Sequence, residues 1–526
     1  MKKLLSSESG FISAALVSFM IAILILTGAA VEIIDSNTVL VGGNLQSQKA
    51  FNIAEAGVNY YLWHLSHNTT DFKDGKTTPA TPDPVLGYGP YVHTYTNDND
   101  VNEGTYTLWI QPQSGGSTIA KIRSIGQVAN SNVVRTIDAQ IGSPSFASYG
   151  VVSDTSLWFG STETATGPVH SNQGIRMDGA STSDVTAANA TYTPLYANGG
   201  CGTSNCSHPG VWCDATVLTP VNCNTRPKTD WRYPVPTVDF NQVTGALCSI
   251  KKAAFLTDPS TSALASSGTA CSQTPTTRTN AYLPQRSNTG AYSITKGYLI
   301  KLNTNGTYDL LNVNAENDRL TPYTSALTTT SVATSIAIPS SGVIFAEDNV
   351  WVLSNPTYHG RVTIAAGRLA TSNNAEIVIA GPLLYTAKTG IDAIGLIAED
   401  SITLAPYAPV SFPFEVDGAL IAQTGSVLYP SSYRSVANTS TRGWVNSGQS
   451  FNFYGSVASR QSWTWTWLGC DNSCGDAVNV PGTGYVSGIL NNNTQYDYNL
   501  QYAPPPSFPN TSTYNVLSWR EVLTHP

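Results

Sequence analysis

The chain has 526 residues, a formal net charge of −8 and only 11% Asp, Glu, Lys and Arg, against about 25% in an average soluble protein. With 26 basic residues facing 34 acidic ones, no cationic surplus exists to neutralise phosphates, so nucleic-acid binding driven by charge is excluded. An apolar share of 41% with so few charges excludes a disordered chain, and 43 Gly, 30 Pro, 26 Tyr and 11 Trp describe a turn-rich, aromatic-rich β protein.

The first ten residues, MKKLLSSESG, are short and carry Lys2 and Lys3. Phe11 to Val31 follows without a charge or a proline. As a helix it is roughly 30 Å long, enough to cross a bilayer. The lysines precede it and Glu32 and Asp35 follow, so the positive-inside bias keeps the N-terminus in the cytoplasm and sends the rest out. Gly28-Ala29-Ala30 offers a signal-peptidase site as an alternative. Helical character does not stop at Val31: Ile34, Leu45, Phe51, Ile53, Ala54, Val58, Tyr61, Leu62 and Leu65 continue at helical spacings, with Gly42-Gly43 as a weak point and no proline before Pro79. Prolines 79, 82, 84 and 90 then mark a loop. Residues 106–110, 119–125 and 133–141 alternate apolar and polar side chains between Gly115-Gly116 and Asn130-Ser131-Asn132, a strand meander.

A short basic leader ending in Gly10, then Phe11, then an apolar helix running on into an amphipathic one resembles a type IV prepilin. Gln48 to Gly57, QKAFNIAEAG, resembles the A-x-x-A-E-A segment of PilX-type minor pilins. The resemblance implies cleavage between Gly10 and Phe11 by a membrane prepilin peptidase, N-methylation of Phe11, and storage as a single-pass membrane protein with its C-terminus outside. It further implies packing with other pilins through the N-terminal helix into an extracellular pilus. The glutamate that major pilins carry at the fifth mature position is replaced here by Ala15. That acid neutralises a neighbour's buried terminal amine, so a subunit without it resembles tip or initiating minor pilins that prime assembly and mediate adhesion or surface contact.

This reading sets a leader at 1–10, a pilin helix at 11–68 with the membrane span at 11–31, and a pilin-like sheet at 69–142. A β-rich region follows at 143–340, with a Cys-rich, Ser/Thr/Pro-rich insertion at 201–271 that lacks apolar periodicity. The last region is 341–526. There Ala346-Glu347-Asp348 is echoed by Ala398-Glu399-Asp400, each ahead of a short apolar strand, and further strands bounded by Gly, Asn or Asp recur at short intervals. Each such strand needs a neighbour to bury its apolar face, which predicts a β-solenoid, with a β-sandwich as the alternative. Gly167 to Asn172, GPVHSN, reads as an early rung and resembles segments of large PilX-like surface proteins. Residues 496–509 read as a closing Tyr/Pro strap over the edge of the last rung. The predicted fold class is therefore α+β: a long N-terminal helix with an antiparallel sheet, then a large all-β region.

All eight cysteines, Cys201, Cys206, Cys213, Cys223, Cys248, Cys271, Cys470 and Cys474, follow the membrane segment and read as disulfides. Neighbour pairing is the simplest of the 105 connectivities that eight cysteines allow. A zinc site from Cys201, Cys206, His208 and Cys213 is the rival. Asp98, Asp100 and Asn102 have the alternating oxygens of a weak calcium loop, without the glycine and distant acid that an EF-hand needs. Trp463, Trp465 and Trp467 alternate along one strand, as core or as an exposed platform for a glycan or a host or cell-surface ligand. No nucleophile, zincin or P-loop motif occurs, and no cofactor is expected. The alternative function is a membrane-tethered β-helix polysaccharide lyase or hydrolase using Glu347 and Glu399.

Overall fold

The computed structural model describes residues 9–68, 71–113, 117–194, 205–214, 223, 228–286, 296–317, 326–405, 414–430, 450–468, 478–480, 484–489, 491–510 and 514–522. The chain divides into two compact units, one from residues 1–113, 119–142 and 514–526, the other from 114–118 and 143–513.

The first unit begins with one continuous helix, α1 (Ser9–His67), which runs through Gly42-Gly43 without a break. Its N-terminal half carries exposed Ile12, Leu16, Phe19, Leu24, Leu26 and Ile33. Its C-terminal half buries Ala50, Ile53, Ala54, Val58, Tyr61 and Leu65 against an antiparallel sheet. The sheet runs in sequence order through β1 (Tyr88–Thr96), β2 (Asn102–Gln111), β3 (Ile119–Val128) and β4 (Val134–Gly142). The alternation read from the sequence puts Leu108, Ile110, Ile122, Ile137, Ala139 and Ile141 on the helix side. Two glycines set the separation of helix and sheet. A Cβ on Gly126 would stand 2.2 Å from Ala50 O, and one on Gly57 would stand 2.3 Å from Ser124 Oγ. Gly57, which follows Ala54-Glu55-Ala56, is thus a close-approach position.

A fifth strand, Asn515–Val522, completes this sheet antiparallel to β4, with Asn515 opposite Gly142. The sequence placed residues 514–526 in the C-terminal solenoid region; the pairing puts Asn515–Val522 in the first unit instead. Residues 143–513 are therefore inserted between two neighbouring strands of the first sheet.

The second unit is a β-solenoid. From Val343–Ala346 onward the chain alternates between two parallel ladders. One receives Val343–Ala346, Arg361–Ala366, Ala393–Ala398, Phe414–Ala422 and Phe451–Ser459. The other receives Asn349–Asn355, Ile377–Ile379, Ile402–Leu404, Val427–Leu428 and Trp463–Thr464. Side chains such as Ile344, Ile364, Leu396, Leu420, Val350, Ile377 and Ile402 fill the space between the ladders. Parallel strands stacked rung on rung give the solenoid and not the sandwich.

An earlier run of rungs, Val151–Ser153, Val169–Ser171 and Val185–Ala187, extends the first ladder from its other side. The last rung, Phe451–Ser459, lies parallel to the first, Val151–Ser153. The chain thus begins and ends its winding at adjacent strands inside the sheet.

One register position explains the sequence repeat. Ala346, Ala366, Ala398, Ala422, Ser459, Ser153, Ser171 and Ala187 stand in a single column at the corner where each rung leaves the long sheet. Each is fully buried. These eight carry a methyl or hydroxymethyl, whereas the outermost position beside Ala346 is Leu283, and the serines fix the next turn: Ser171 Oγ donates to Thr155 O at 2.8 Å and Ser153 Oγ to Gln461 O at 3.1 Å.

The outer face of the long sheet is also covered. Helix α2 (Asn241–Leu256) buries Val243, Leu247, Ile250, Ala254 and Phe255 in one cluster with Phe345, Ala365, Ile397 and Ile421. The insertion at 201–271 therefore does contribute core, contrary to the expectation from its composition. The Tyr/Pro segment crosses the same face. Arg361 donates to the carbonyls of Ala503 and Pro504 at 2.7 and 2.6 Å, and Thr363 Oγ1 to Pro506 O at 2.5 Å. A Cβ on Gly395 would stand 2.8 Å from Pro505 Cβ. The strap thus covers a face of the stack; it does not close an edge of it.

Candidate functional site

The N-terminal helix is long and apolar enough to cross a membrane, and its apolar half is exposed. Gly10, Phe11 and Ala15 all lie on it, and Met1 to Glu8 fall outside the described residues. No acidic residue occupies its first turn. The amphipathic half is clamped where it ends. Tyr60 OH donates to Asp74 Oδ1 at 2.9 Å, His64 Nε2 lies 3.1 Å from Asp71 Oδ2, and His93 Nε2 lies 2.8 Å from Asp74 Oδ2. Burial next to the Asp74 carboxylate pushes the Tyr60 hydroxyl well above the usual phenol range, so it stays a donor.

The A-E-D carboxylates serve the solenoid corner. Glu347 pairs with Lys251 of α2, whose ammonium is fully buried and also donates to Cys271 O at 2.9 Å. Asp348 pairs with Arg368 and accepts Arg286 N–H at 3.0 Å. Glu399 Oε2 accepts Arg368 N–H at 2.6 Å. Burial holds the carboxyls of Glu347, Asp348 and Glu399 above their usual range, and Lys251, Arg368 and backbone N–H groups offset part of that rise. These side chains stitch rung to rung and to α2, which is the structural role that strand-starting acids take.

Two disulfides join neighbours in sequence, Cys213–Cys223 and Cys248–Cys271, with Cα atoms 5.9 and 5.2 Å apart. The second ties α2 to the turn at Ala270–Ser272. Cys206 is also disulfide-bonded, with its sulfur 3.0 Å from His208 Nε2. Two members of the alternative zinc set, Cys206 and Cys213, are thus engaged in disulfides. Cys201, Cys470 and Cys474 lie outside the described residues.

The loop of Asp98, Asp100 and Asn102 is the β1–β2 turn. Asn97 Oδ1 organises it by accepting the N–H groups of Asn99 and Val101, and Asn102 Oδ1 accepts Gly104 N–H at 2.8 Å. Among the described residues, no group of three His, Cys, Asp or Glu side chains is placed to hold a metal ion.

The three alternating tryptophans do not make an open platform. Trp465 is buried, its ring 5.3 Å from Phe451 and 5.9 Å from Phe453. Trp463 is half-buried, 5.6 Å from Phe159, and Trp467 Nε1 donates to Tyr429 O at 2.7 Å. The strand breaks at Trp465, between Trp463–Thr464 and Thr466–Leu468, so the alternation does not hold across it.

A different aromatic cluster sits on the outer face of the early rungs. Leu157–Phe159, Ile175–Met177 and Val211–Trp212 form a parallel sheet that brings Trp158, Arg176 and Trp212 into register. Within-strand alternation could not reveal it, because stacking of distant rungs assembles it. The Arg176 guanidinium lies 4.9 Å from the Trp158 ring and 5.2 Å from the Trp212 ring. His208 stacks on Trp212 with centroids 3.5 Å apart and planes 7° from parallel.

No protein-family model matches this chain, and no curated protein matches it. Among solved structures it is similar to the competence-associated pilin ComZ from Thermus thermophilus, at 13% identity and a TM-score of 0.25, over 91% of this chain and 98% of that one.

Proposed function

We propose that this chain is a minor-pilin-like structural subunit of a type IV pilus. The observation that carries this reading is the division of α1. One half is an exposed apolar rod, and the other is packed through Ala50, Ala54 and Gly57 onto an antiparallel sheet. A rod of that kind serves as a membrane anchor before assembly and as a packing element among other pilins after it. A prepilin peptidase cuts between Gly10 and Phe11, and Phe11 is N-methylated. Ala15 provides no carboxylate for a neighbour's terminal amine, which favours the tip, where the subunit primes assembly. The solenoid is the body displayed outside the cell for adhesion or surface contact.

Mass spectrometry of the mature chain tests the reading. A chain that starts at a methylated Phe11 and is present in sheared, purified filaments is the expected result. A chain that starts after Ala30, or that stays wholly in the membrane fraction, overturns it.

A further inference from the structure

We propose that Trp158 is the stacking floor of a carbohydrate site on the outer face of the early rungs. This inference rests on the adhesive reading above and names the ligand class.

Six side chains form the site. Trp158 Nε1 donates to Asp178 Oδ2 at 3.0 Å, which sets the plane of the indole. The same carboxylate oxygen accepts Arg176 Nε–H at 2.7 Å, and Asp178 Oδ1 accepts Asp214 N–H at 2.9 Å. Arg176 Nη2 lies 3.3 Å from Asp214 Oδ2. Trp212 Nε1 donates to Tyr192 OH at 2.9 Å. Burial pushes the Tyr192 hydroxyl up to about 12, so it remains neutral and able to accept. Arg176, Asp178, Trp212 and Tyr192 are all buried, yet Trp158 at the end of this row is 42% exposed.

A tryptophan that is both locked and solvent-exposed is an unusual expenditure of order. Apolar surface left in water forgoes about 25 cal/mol for each Å². Holding the ring by its N–H and by a cation in register with it removes the motion that a ligand would otherwise have to freeze. Among the described residues, Trp158 closes the three-strand sheet, with Arg176 on its paired side and no partner strand within that sheet on the other.

The occupant must offer a flat apolar face to the indole and hydroxyls at its rim. A pyranose ring does both: its axial C–H groups stack, and its hydroxyls reach the Asp214 carboxylate, which is partly open to water. A nucleotide is disfavoured, because Arg176 is already committed to Asp178 and Asp214 and the chain carries a net charge of −8.

The test uses the full-length chain in detergent micelles and saturation-transfer NMR. The probes are short oligomers of glucose, N-acetylglucosamine, mannose and galactose, at about millimolar concentration, the range of weak single-site binding. Transfer to the ring protons of at least one oligomer is expected. It should weaken by about tenfold in Trp158→Ala, the scale of one lost stacking contact, and persist in Trp158→Phe. Transfer to none of the four, or equal transfer in Trp158→Ala, overturns the proposal. Binding is read on the isolated chain, whereas the pilus reading is tested by the mature N-terminus and by filament content. Failure of one is therefore distinguishable from failure of the other.

Discussion

Removing residues 143–513 and joining Gly142 to Tyr514 through a two-residue Asn-Gly turn should leave the first unit folded. The reason is topological: Asn515 already stands opposite Gly142, so the ends of the insertion are hydrogen-bonded neighbours and a short hairpin loop spans them. Closing a flexible loop of about 370 residues instead of about four would differ by about 4 kcal/mol in favour of the short one, an upper bound because the insertion is itself folded. Against this stand the Thr118 N–H bond to Tyr502 O at 3.0 Å and the Ser143 N–H bond to Thr118 O at 3.4 Å, both lost on excision at a cost of about 1 kcal/mol each. The shortened chain should thus be at least as stable as the corresponding unit of the intact protein. Hydrogen exchange in detergent micelles reads the outcome on Ile119–Val128 and Val134–Gly142. Protection equal to that of the full chain is expected, together with entry of the short form into filaments. Loss of protection in these two strands would refute the claim that the insertion is a separate structural unit.

Two further outcomes follow from the solenoid. Ala398 is fully buried between Ala366 and Ala422 in the corner column, where rungs are about 4.8 Å apart, so Ala398→Leu should destabilise by about 2–3 kcal/mol through overpacking while Ala398→Ser, copying Ser459, changes little. Denaturant unfolding followed by tryptophan fluorescence separates the two, and equal midpoints would contradict the packing argument. Burial, with Asp400 and Glu316 beside it, raises the Glu376 carboxyl from 4.5 to about 7. The folded state then holds a proton that the unfolded chain releases, so stability is greatest near the lower value and falls as pH rises from about 4.5 to about 7. Because Glu376 is only half-buried, solvent screening cuts the effect to about 1 kcal/mol. Hydrogen exchange over Ile377–Leu404 should show this slope and lose it in Glu376→Gln; a slope of opposite sign would refute the assignment.

What could be read from the sequence follows the range of the interactions. The N-terminal helix and strands β2 to β4 were legible because their periodicities are local, whereas β1 (Tyr88–Thr96) lies in the Pro-rich stretch that reads as a loop. The solenoid was legible because its corner column repeats as A-E-D at two rungs, although the same column is written with serine at Ser153, Ser171 and Ser459. Helix α2 was missed, yet Val243, Leu247, Ile250 and Ala254 carry its spacing; the surrounding Thr, Ser and Pro diluted the signal. The Asn515–Val522 strand could not be placed, since its partner lies across the whole insertion and nearly all of its side chains face water. Trp158 and Trp212 share the last limitation. Each is an isolated tryptophan in its own short strand, and only the winding of the chain sets both against Arg176.

Because the winding starts at Val151 and returns to Ser459 on the neighbouring strand, neither outermost turn of the coil is a terminus of the polypeptide. A pull exerted through the segment after Gly142 would meet Val151–Ser153, gripped from both sides, with Arg460 and Asp154 joined at 2.8 Å as an extra rivet, whereas the segment before Tyr514 leads from the Tyr/Pro strap. Such a pull would not find a loose outer lap to peel. A body loaded through that segment would gain mechanical endurance from the arrangement without any added bond.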